Sequence, residues 1–103
     1  MYLVTTENIP GRNYQILGFV CGNMVQSKNA IKDLGANLKS IVGGELVSYT
    51  KMLSEAREIA IQRMIQQATS MGADAIVGIR FSSSSIVQGA AEILVAGTAV
   101  KLI

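Results

Sequence analysis

Apolar residues recur at helical spacing through the middle of the chain, between the glycine pair at positions 43 and 44 and Gly72. No proline or glycine interrupts this segment, so the pattern predicts one long α-helix from Glu45 to Met71. Glu45 favours a helix N-terminus, and Gly72 suits the left-handed position after a helix C-terminus. Such a helix would be about 40 Å long, more than twice the usual length. We expect the fold to be organised around it.

The predicted helix has one narrow polar stripe. It consists of Ser48, Lys51, Glu55, Glu58, Gln62, Gln66 and Thr69. The remaining apolar arc covers well over half of the circumference, compared with about 100° in an ordinary surface helix. One sheet cannot cover so wide an arc, so a second partner is predicted. Arg57, Arg63 and Gln67 fall inside the arc. In one interpretation, the apolar parts of these side chains are buried and their polar ends reach solvent at the edge of the arc. In the other, Arg57 lies in an interface and pairs with an acidic residue.

Apolar runs elsewhere predict a short β segment and three main strands. These are Tyr2 to Thr5, Tyr14 to Val25, Asp74 to Phe81 and Ala91 to Ile103. Gly18 and Gly22 indicate a bulge or a close backbone approach. The segment from Gln26 to Val42 becomes amphipathic and predicts a short extra helix. The run from Ser82 to Ser85 predicts the start of a polar hairpin loop that ends near Gly89.

The order strand, helix, strand, strand predicts an α+β fold with a small mixed three-stranded sheet. The long helix is a crossover, so the first two main strands should run parallel and be joined right-handedly. The third strand would turn back and lie between them, antiparallel to both. The helix leaves one face of this sheet bare, although both faces of the strands are apolar. The fold therefore predicts a neighbouring subunit on the uncovered surface.

Composition supports one self-associating domain spanning residues 1–103. Only 16% of the residues are charged, against about 25% in typical soluble domains. The net charge of +2 is too small to suggest a nucleic-acid partner.

No apolar run reaches the roughly 18 residues that span a bilayer, and no signal-peptide pattern is visible, so we expect no membrane partner. The single cysteine cannot form an internal disulfide, and we expect a cytoplasmic protein.

An ordered set of short segments resembles the YbjQ-like family. The segments are Ile41 to Glu45, Tyr49-Thr50, Leu53, Ala56-Arg57, Ala60, Met64, Ala68, Gly72 to Ile79, Gly97 to Lys101, Leu17-Gly18 and Val20 to Gly22. The resemblance covers nearly the whole chain. It implies a small α/β subunit in a homopentameric ring, similar in subunit fold to the dodecins. The family is labelled heavy-metal-binding without an established biochemical role, and its pattern supplies no catalytic residues.

The donor residues argue against a tight metal site. The chain contains no histidine and one cysteine, whereas soft metals need clustered thiolates or imidazoles. Cys21 is a weak candidate metal ligand, because a ring would bring several copies towards one axis. A strand cysteine between Val20 and Gly22 is more often a small buried hydrophobe. No cofactor is predicted.

Two function classes stay open. The first is a homo-oligomeric, non-enzymatic binding or scaffold protein that holds a small ligand or ion between subunits. The second is an enzyme with a site shared between two subunits, built from Arg57, Asp74, Glu92 or Tyr49. The absence of histidine and of a nucleophile motif favours the first class. The same four residues are the predicted interface residues, with Asp74 and Glu92 as leading acidic partners of Arg57 and Asp33 as the third.

Overall fold

A long helix packed on a mixed sheet forms the centre of the computed structural model, which describes residues 1–26, 41–42, 45–87 and 90–103. The elements in chain order are β1 (Tyr2–Leu3), β2 (Tyr14–Gln26), β3 (Ile41–Val42), β4 (Glu45–Leu46), α1 (Val47–Ser70), β5 (Ala75–Val87) and β6 (Ala90–Leu102). The main sheet has the strand order β1–β5–β6–β2, and β3 pairs with β4 in a separate small ribbon.

The predicted strand arrangement is confirmed, with one addition. β6 lies between β5 and β2 and is antiparallel to both, so β5 and β2 run in the same direction. The chain connects these two strands through α1. The short N-terminal segment joins the sheet as β1, parallel to β5. The sheet therefore has four strands in the described residues, not the predicted three.

The boundaries of α1 differ from the predicted ones at the N-terminus. Glu45 and Leu46 pair with Val42 and Ile41, so the helix begins at Val47. Ile41 and Val42 therefore lie in a strand and not in the predicted short helix. Gln26, the first residue of that predicted segment, belongs to β2, and residues 27–40 lie outside the described part of the chain. At the C-terminus the prediction is confirmed: Gly72 has a φ of 80°.

The hydrogen bonds after α1 complete a Schellman motif, the usual way of satisfying the last carbonyls of a helix. The amide of Gly72 bonds the carbonyl of Thr69 at 3.0 Å, and the amide of Ala73 bonds the carbonyl of Ala68 at 3.1 Å. The chain then turns directly into β5, because Asp74 already bonds the carbonyl of Val100 through its amide.

The predicted serine loop is wrong. Ser82 to Ser85 continue β5 and pair with residues Leu94 to Ala91 of β6. Serine favours turns when it is considered alone. Here the neighbouring strand supplies backbone partners, so β5 continues as far as Val87.

The main core lies between α1 and the middle of the sheet. Its buried members are Val20, Ala60, Met64, Ala68, Ile76, Ile79, Val95 and Ala99. The helix contributes mostly alanines at a spacing of four residues, which lets its backbone approach β2 closely. A second small cluster, Ala75, Val77 and Val100, lies on the opposite face under Val4, Ile9 and Tyr14. The N-terminal segment therefore covers one end of the face that α1 leaves open.

The predicted roles of two glycines are confirmed. Gly18 lies at an irregularity of the β2–β6 register, which a bulge produces. Gly22 lies against the backbone of α1, where an added Cβ atom would be 2.6 Å from the amide nitrogen of Met64. The molecule is nevertheless elongated, with a radius of gyration of 16.7 Å, whereas a compact domain of about 100 residues has a value of about 13 Å.

Candidate functional site

Two side chains of α1 cover the free edge of β2. The side-chain oxygen Oε1 of Gln67 accepts a 2.8 Å hydrogen bond from the amide of Cys21. The Nη1 atom of Arg63 donates a 2.6 Å hydrogen bond to the carbonyl of Asn23. These are two of the three polar residues that the sequence places inside the apolar arc of the helix. Their position is explained by backbone groups of an edge strand, which the sequence pattern did not reveal.

Arg57, the third of these polar residues, lies beside an open groove. The groove has a volume of about 590 Å³ and is lined by Leu53, Arg57, Phe81, Ser82, Ser83 and Ile93. It separates the N-terminal half of α1 from the hairpin formed by β5 and β6. Arg57 is exposed, and no hydrogen bond or ion pair joins it to another residue in the described part of the chain. Its predicted role in a subunit interface stays a prediction.

Asp74 already has partners within the chain. Its Oδ2 atom accepts a 2.9 Å hydrogen bond from the amide of Leu102, and Oδ1 lies 3.4 Å from Nζ of Lys101. The pKa of Asp74 is lowered, chiefly by the Leu102 hydrogen bond and further by the positive charges of Lys101 and Arg12; partial desolvation opposes this shift. These contacts attach the beginning of β5 to the end of β6.

Glu92 also has a partner, at the far end of the hairpin. Its Oε2 atom accepts a 2.8 Å hydrogen bond from Nδ2 of Asn23. Glu92 is opposite Ser84 on β5, and ten residues of strand separate Ser84 from Asp74, or about 33 Å. One chain therefore does not bring the two predicted acids into a single site. Tyr49 lies in α1, but its side chain is outside the described part of the structure, as is the whole of Asp33.

Cys21 is half-buried on β2 and is a free thiol. Its backbone amide is occupied by Gln67. In the described ranges, no group of three or more histidine, cysteine, aspartate or glutamate residues is arranged to hold a metal ion. The donor set of one chain, with one cysteine and no histidine, does not fit a soft-metal site.

Large apolar side chains remain exposed on both sides of the molecule. On β2, Phe19 is 69% exposed and Val25 is 45% exposed. Both lie on the sheet face opposite α1, since they alternate with Val20, which is buried against the helix. On the helix side, Leu53 and Phe81 are 47% and 49% exposed beside the Arg57 groove. Exposed apolar surface of this kind is typical of an interaction site.

Comparison with known proteins gives the family. A family model described as "Putative heavy-metal-binding" (YbjQ) matches residues 1–103. A UPF0145 protein of Vibrio campbellii is 62% identical over 104 residues, with 100% of each chain covered. A UPF0145 protein of Thermotoga petrophila is 57% identical over 103 residues, covering 99% of this chain and 97% of the relative.

The chain belongs to the YbjQ family. This confirms the resemblance found in the sequence. The fold of this YbjQ family member also resembles that of a protein of unknown function from Pediococcus pentosaceus, with a TM-score of 0.72 over 100% of this chain and 98% of the other. Those two sequences are 17% identical, so the likeness extends to the fold alone. Within the described residues of this YbjQ chain, no helix has the length and hydropathy that a membrane crossing requires.

Proposed function

We propose that this chain is a subunit of a homo-oligomeric ring, specifically a pentamer, which acts as a non-enzymatic binding or scaffold protein and holds a small ligand or ion between subunits. The observation that carries the proposal is the apolar surface left uncovered on both sides of one chain. Phe19 and Val25 are exposed on the sheet, and Leu53 and Phe81 are exposed beside the helix. Association would remove these side chains from water, which stabilises an assembly by about 25 cal/mol per Å² of apolar surface buried.

Two further observations support association. The molecule is elongated, with a radius of gyration of 16.7 Å, compared with about 13 Å for a compact domain of about 100 residues. Only 16% of the residues are charged, which leaves few charges to keep separate copies apart. The family resemblance implies five subunits, and head-to-tail contacts form a closed ring when the rotation from one subunit to the next closes.

The acidic residues support a non-enzymatic role. Asp74 holds the end of β6, and Glu92 holds a side chain of β2. Both carboxylates therefore have structural partners within the chain, as expected for residues that stabilise the sheet. The proposed location is the cytoplasm, where a lone thiol such as Cys21 stays reduced.

The oligomeric state tests the proposal directly. Light scattering and native mass spectrometry of the purified protein at micromolar concentration should give the mass of five subunits. A stable folded monomer under these conditions would contradict the proposal. A different closed ring would contradict the pentamer but leave the association supported.

A bound metal or ligand can be sought in the same preparation. We expect no stoichiometric zinc or copper by elemental analysis, because one thiolate per chain is a poor donor set. Stoichiometric metal that is lost in the Cys21→Ser variant would show that several subunits combine their thiols in one site. A retained small molecule in the native mass spectrum would identify the ligand class.

A further inference from the structure

A second pocket, of about 430 Å³, lies at the end of the sheet where β1 begins and β6 ends. Its volume is within the range of about 300–1,000 Å³ that is typical of small-molecule sites. The pocket shares no lining residue with the groove beside Arg57. In the described part of the chain it is lined by Met1, Tyr2, Arg12, Asp74 and Leu102. Two of these side chains, Arg12 and Asp74, carry opposite charges.

A tight turn places Arg12 at the pocket. The amide of Arg12 donates a 3.1 Å hydrogen bond to the carbonyl of Ile9. Pro10 and Gly11 lie between them, and Gly11 has a φ of 75°, as the second central position of a type II turn requires. Ile9 packs against the small apolar cluster on the sheet face opposite α1. The turn that carries Arg12 is therefore attached to the core.

The guanidinium of Arg12 has no partner of its own among the residues that the structure describes. The side chain is exposed, and in those ranges no hydrogen bond or ion pair joins it to another residue. Its charge nevertheless acts on Asp74, since it is one of the causes that lower the pKa of that carboxyl group. The two opposite charges are therefore close to each other without being paired.

Asp74 is held at the pocket by backbone contacts. Its Oδ2 atom accepts the 2.9 Å hydrogen bond from the amide of Leu102, and its own amide bonds the carbonyl of Val100. Because the Leu102 bond lowers the pKa of Asp74, the carboxyl group is ionised at neutral pH. An ionised carboxylate offers about four acceptor positions. Leu102 and Lys101 use two of them, so a further donor can still be accepted.

We propose that this pocket binds a small zwitterion whose ammonium and carboxylate groups are a few bonds apart, with a free amino acid as the chemical class. The carboxylate of the ligand would pair with Arg12, and its ammonium group would donate to Asp74. Tyr2, which is 58% exposed, and the half-buried Leu102 supply apolar surface for a ligand side chain. This site goes beyond the proposed function, because all of its residues belong to one chain.

A zwitterion fits the pocket better than an ion of one sign. A simple cation would bond Asp74 but would be repelled by Arg12, and a simple anion would pair with Arg12 but would be repelled by Asp74. A ligand with both charges meets an opposite charge at each position. Lys101 lies 3.4 Å from Asp74 and adds a second positive charge, so a simple anion is the competing ligand class and is included in the test.

Titration of the purified protein with leucine and two of its analogues, followed by calorimetry or NMR, tests the site. Leucinamide lacks the carboxylate, and N-acetylleucine lacks the ammonium group. The parent protein should bind leucine with a Kd at least about tenfold lower than that of either analogue, because each analogue loses a charge-assisted hydrogen bond.

Two variants show which side chain recognises which group. Arg12→Gln should bind leucine and leucinamide equally, and Asp74→Asn should bind leucine and N-acetylleucine equally. Each substitution removes the protein partner of the group that the analogue lacks, whereas a structural change alone would weaken the binding of all three compounds together. Lys51→Gln is the control, because Lys51 is an exposed cation of α1 that does not line the pocket. It should keep the preference of the parent.

The outcomes separate this site from the proposed function. The absence of saturable leucine binding to the parent at millimolar concentration overturns the site, and so does equal affinity for leucine and N-acetylleucine, which indicates an anion site only. If Asp74→Asn does not fold, the preferences of the parent and of Arg12→Gln decide. An oligomeric parent that binds no leucine leaves the proposed function intact, whereas a monomeric parent that binds leucine supports the site and overturns that function.

Discussion

Gly22 of β2 lies directly against the backbone of Ala60 in α1. A Cβ atom at Gly22 would overlap the carbonyl oxygen of Ala60 and would lie 2.6 Å from the amide nitrogen of Met64. Both obstacles are backbone atoms of a helix, which cannot move separately from the rest of their turn. The helix and the strand are therefore in contact through their backbones at this point, and the contact sets the distance between α1 and the sheet.

Gly22→Ala should destabilise the protein by about 2–3 kcal/mol or more, because the added methyl group forces α1 away from β2. Gly97→Ala is the comparison. Its nearest obstacle is a side-chain atom, Cγ2 of Ile76 at 2.7 Å, and its nearest backbone obstacle, the carbonyl oxygen of Val77, lies farther away at 3.1 Å, so we expect the smaller loss. Urea unfolding at one fixed subunit concentration measures both values. Equal losses would show that the backbone contact is not the controlling obstacle.

Gln67→Leu should expose the β2 edge at Cys21. The lost hydrogen bond should reduce the free energy of unfolding by about 1 kcal/mol, and the amide of Cys21 should exchange with solvent faster. Gln66→Leu is the matched control, since Gln66 is a neighbouring exposed glutamine, and glutamine and leucine have similar helix propensity. An unchanged exchange rate at Cys21 in the Gln67 variant would mean that the bond does not protect this edge in solution.

Arg57→Met should weaken assembly far more than Lys51→Met on the polar stripe. If Arg57 pairs with an acid inside an interface, its removal costs about 3–5 kcal/mol, because the remaining charge stays buried without a partner. A solvated pair at Lys51 would contribute at most about 1 kcal/mol. Lysine, arginine and methionine have similar helix propensity, so the comparison isolates the interaction.

The measurement for both variants is oligomeric state and melting temperature. If both keep the values of the parent protein, Arg57 only extends over the groove beside Leu53 and Phe81. The interface interpretation of this part of the helix would then be wrong.

Asp74 should make stability depend on pH in the acidic range. Its pKa is lowered from the ordinary value of 3.8, chiefly by the amide of Leu102. A lowered pKa in the folded state means that the contribution is fully present above about pH 4 and is lost as the pH falls through the folded-state value. The melting temperature of Asp74→Asn should therefore lie below that of the parent at neutral pH, with the gap narrowing in acid.

Glu58→Gln is the control for this pH series, because Glu58 is an exposed carboxylate on α1. Its melting temperature should follow that of the parent at every pH. A gap between the parent and Asp74→Asn that stays constant down to acid pH would mean that the charge of Asp74 does not contribute to the β5–β6 contact.

Much of the fold follows from local patterns in the sequence. The long apolar arc and the absence of proline and glycine predict α1, and Gly72 predicts its end, because helix formation and termination depend on residues within a few positions of one another. A crossover helix followed by a hairpin admits few sheet orders. The order of β5, β6 and β2 could therefore be predicted before the structure was known.

The remaining features depend on contacts between residues far apart in the chain. The serines of β5 are in a strand because β6 supplies their backbone partners. Glu45 is in a strand because Val42 supplies its partner. Local propensity favours a turn for the former and a helix for the latter, and non-local pairing overrides it.

In the candidate site, too, the sequence shows the local pattern but not the contacts between residues far apart in the chain. From the sequence, Arg63 and Gln67 are polar residues in an apolar arc with no visible reason to be there. Only the tertiary structure places them beside Asn23 and Cys21. Helical periodicity shows which residues share a face of α1. It does not show that β2 ends the sheet under that face, and a polar side chain is stable there because an edge strand has backbone groups that need partners.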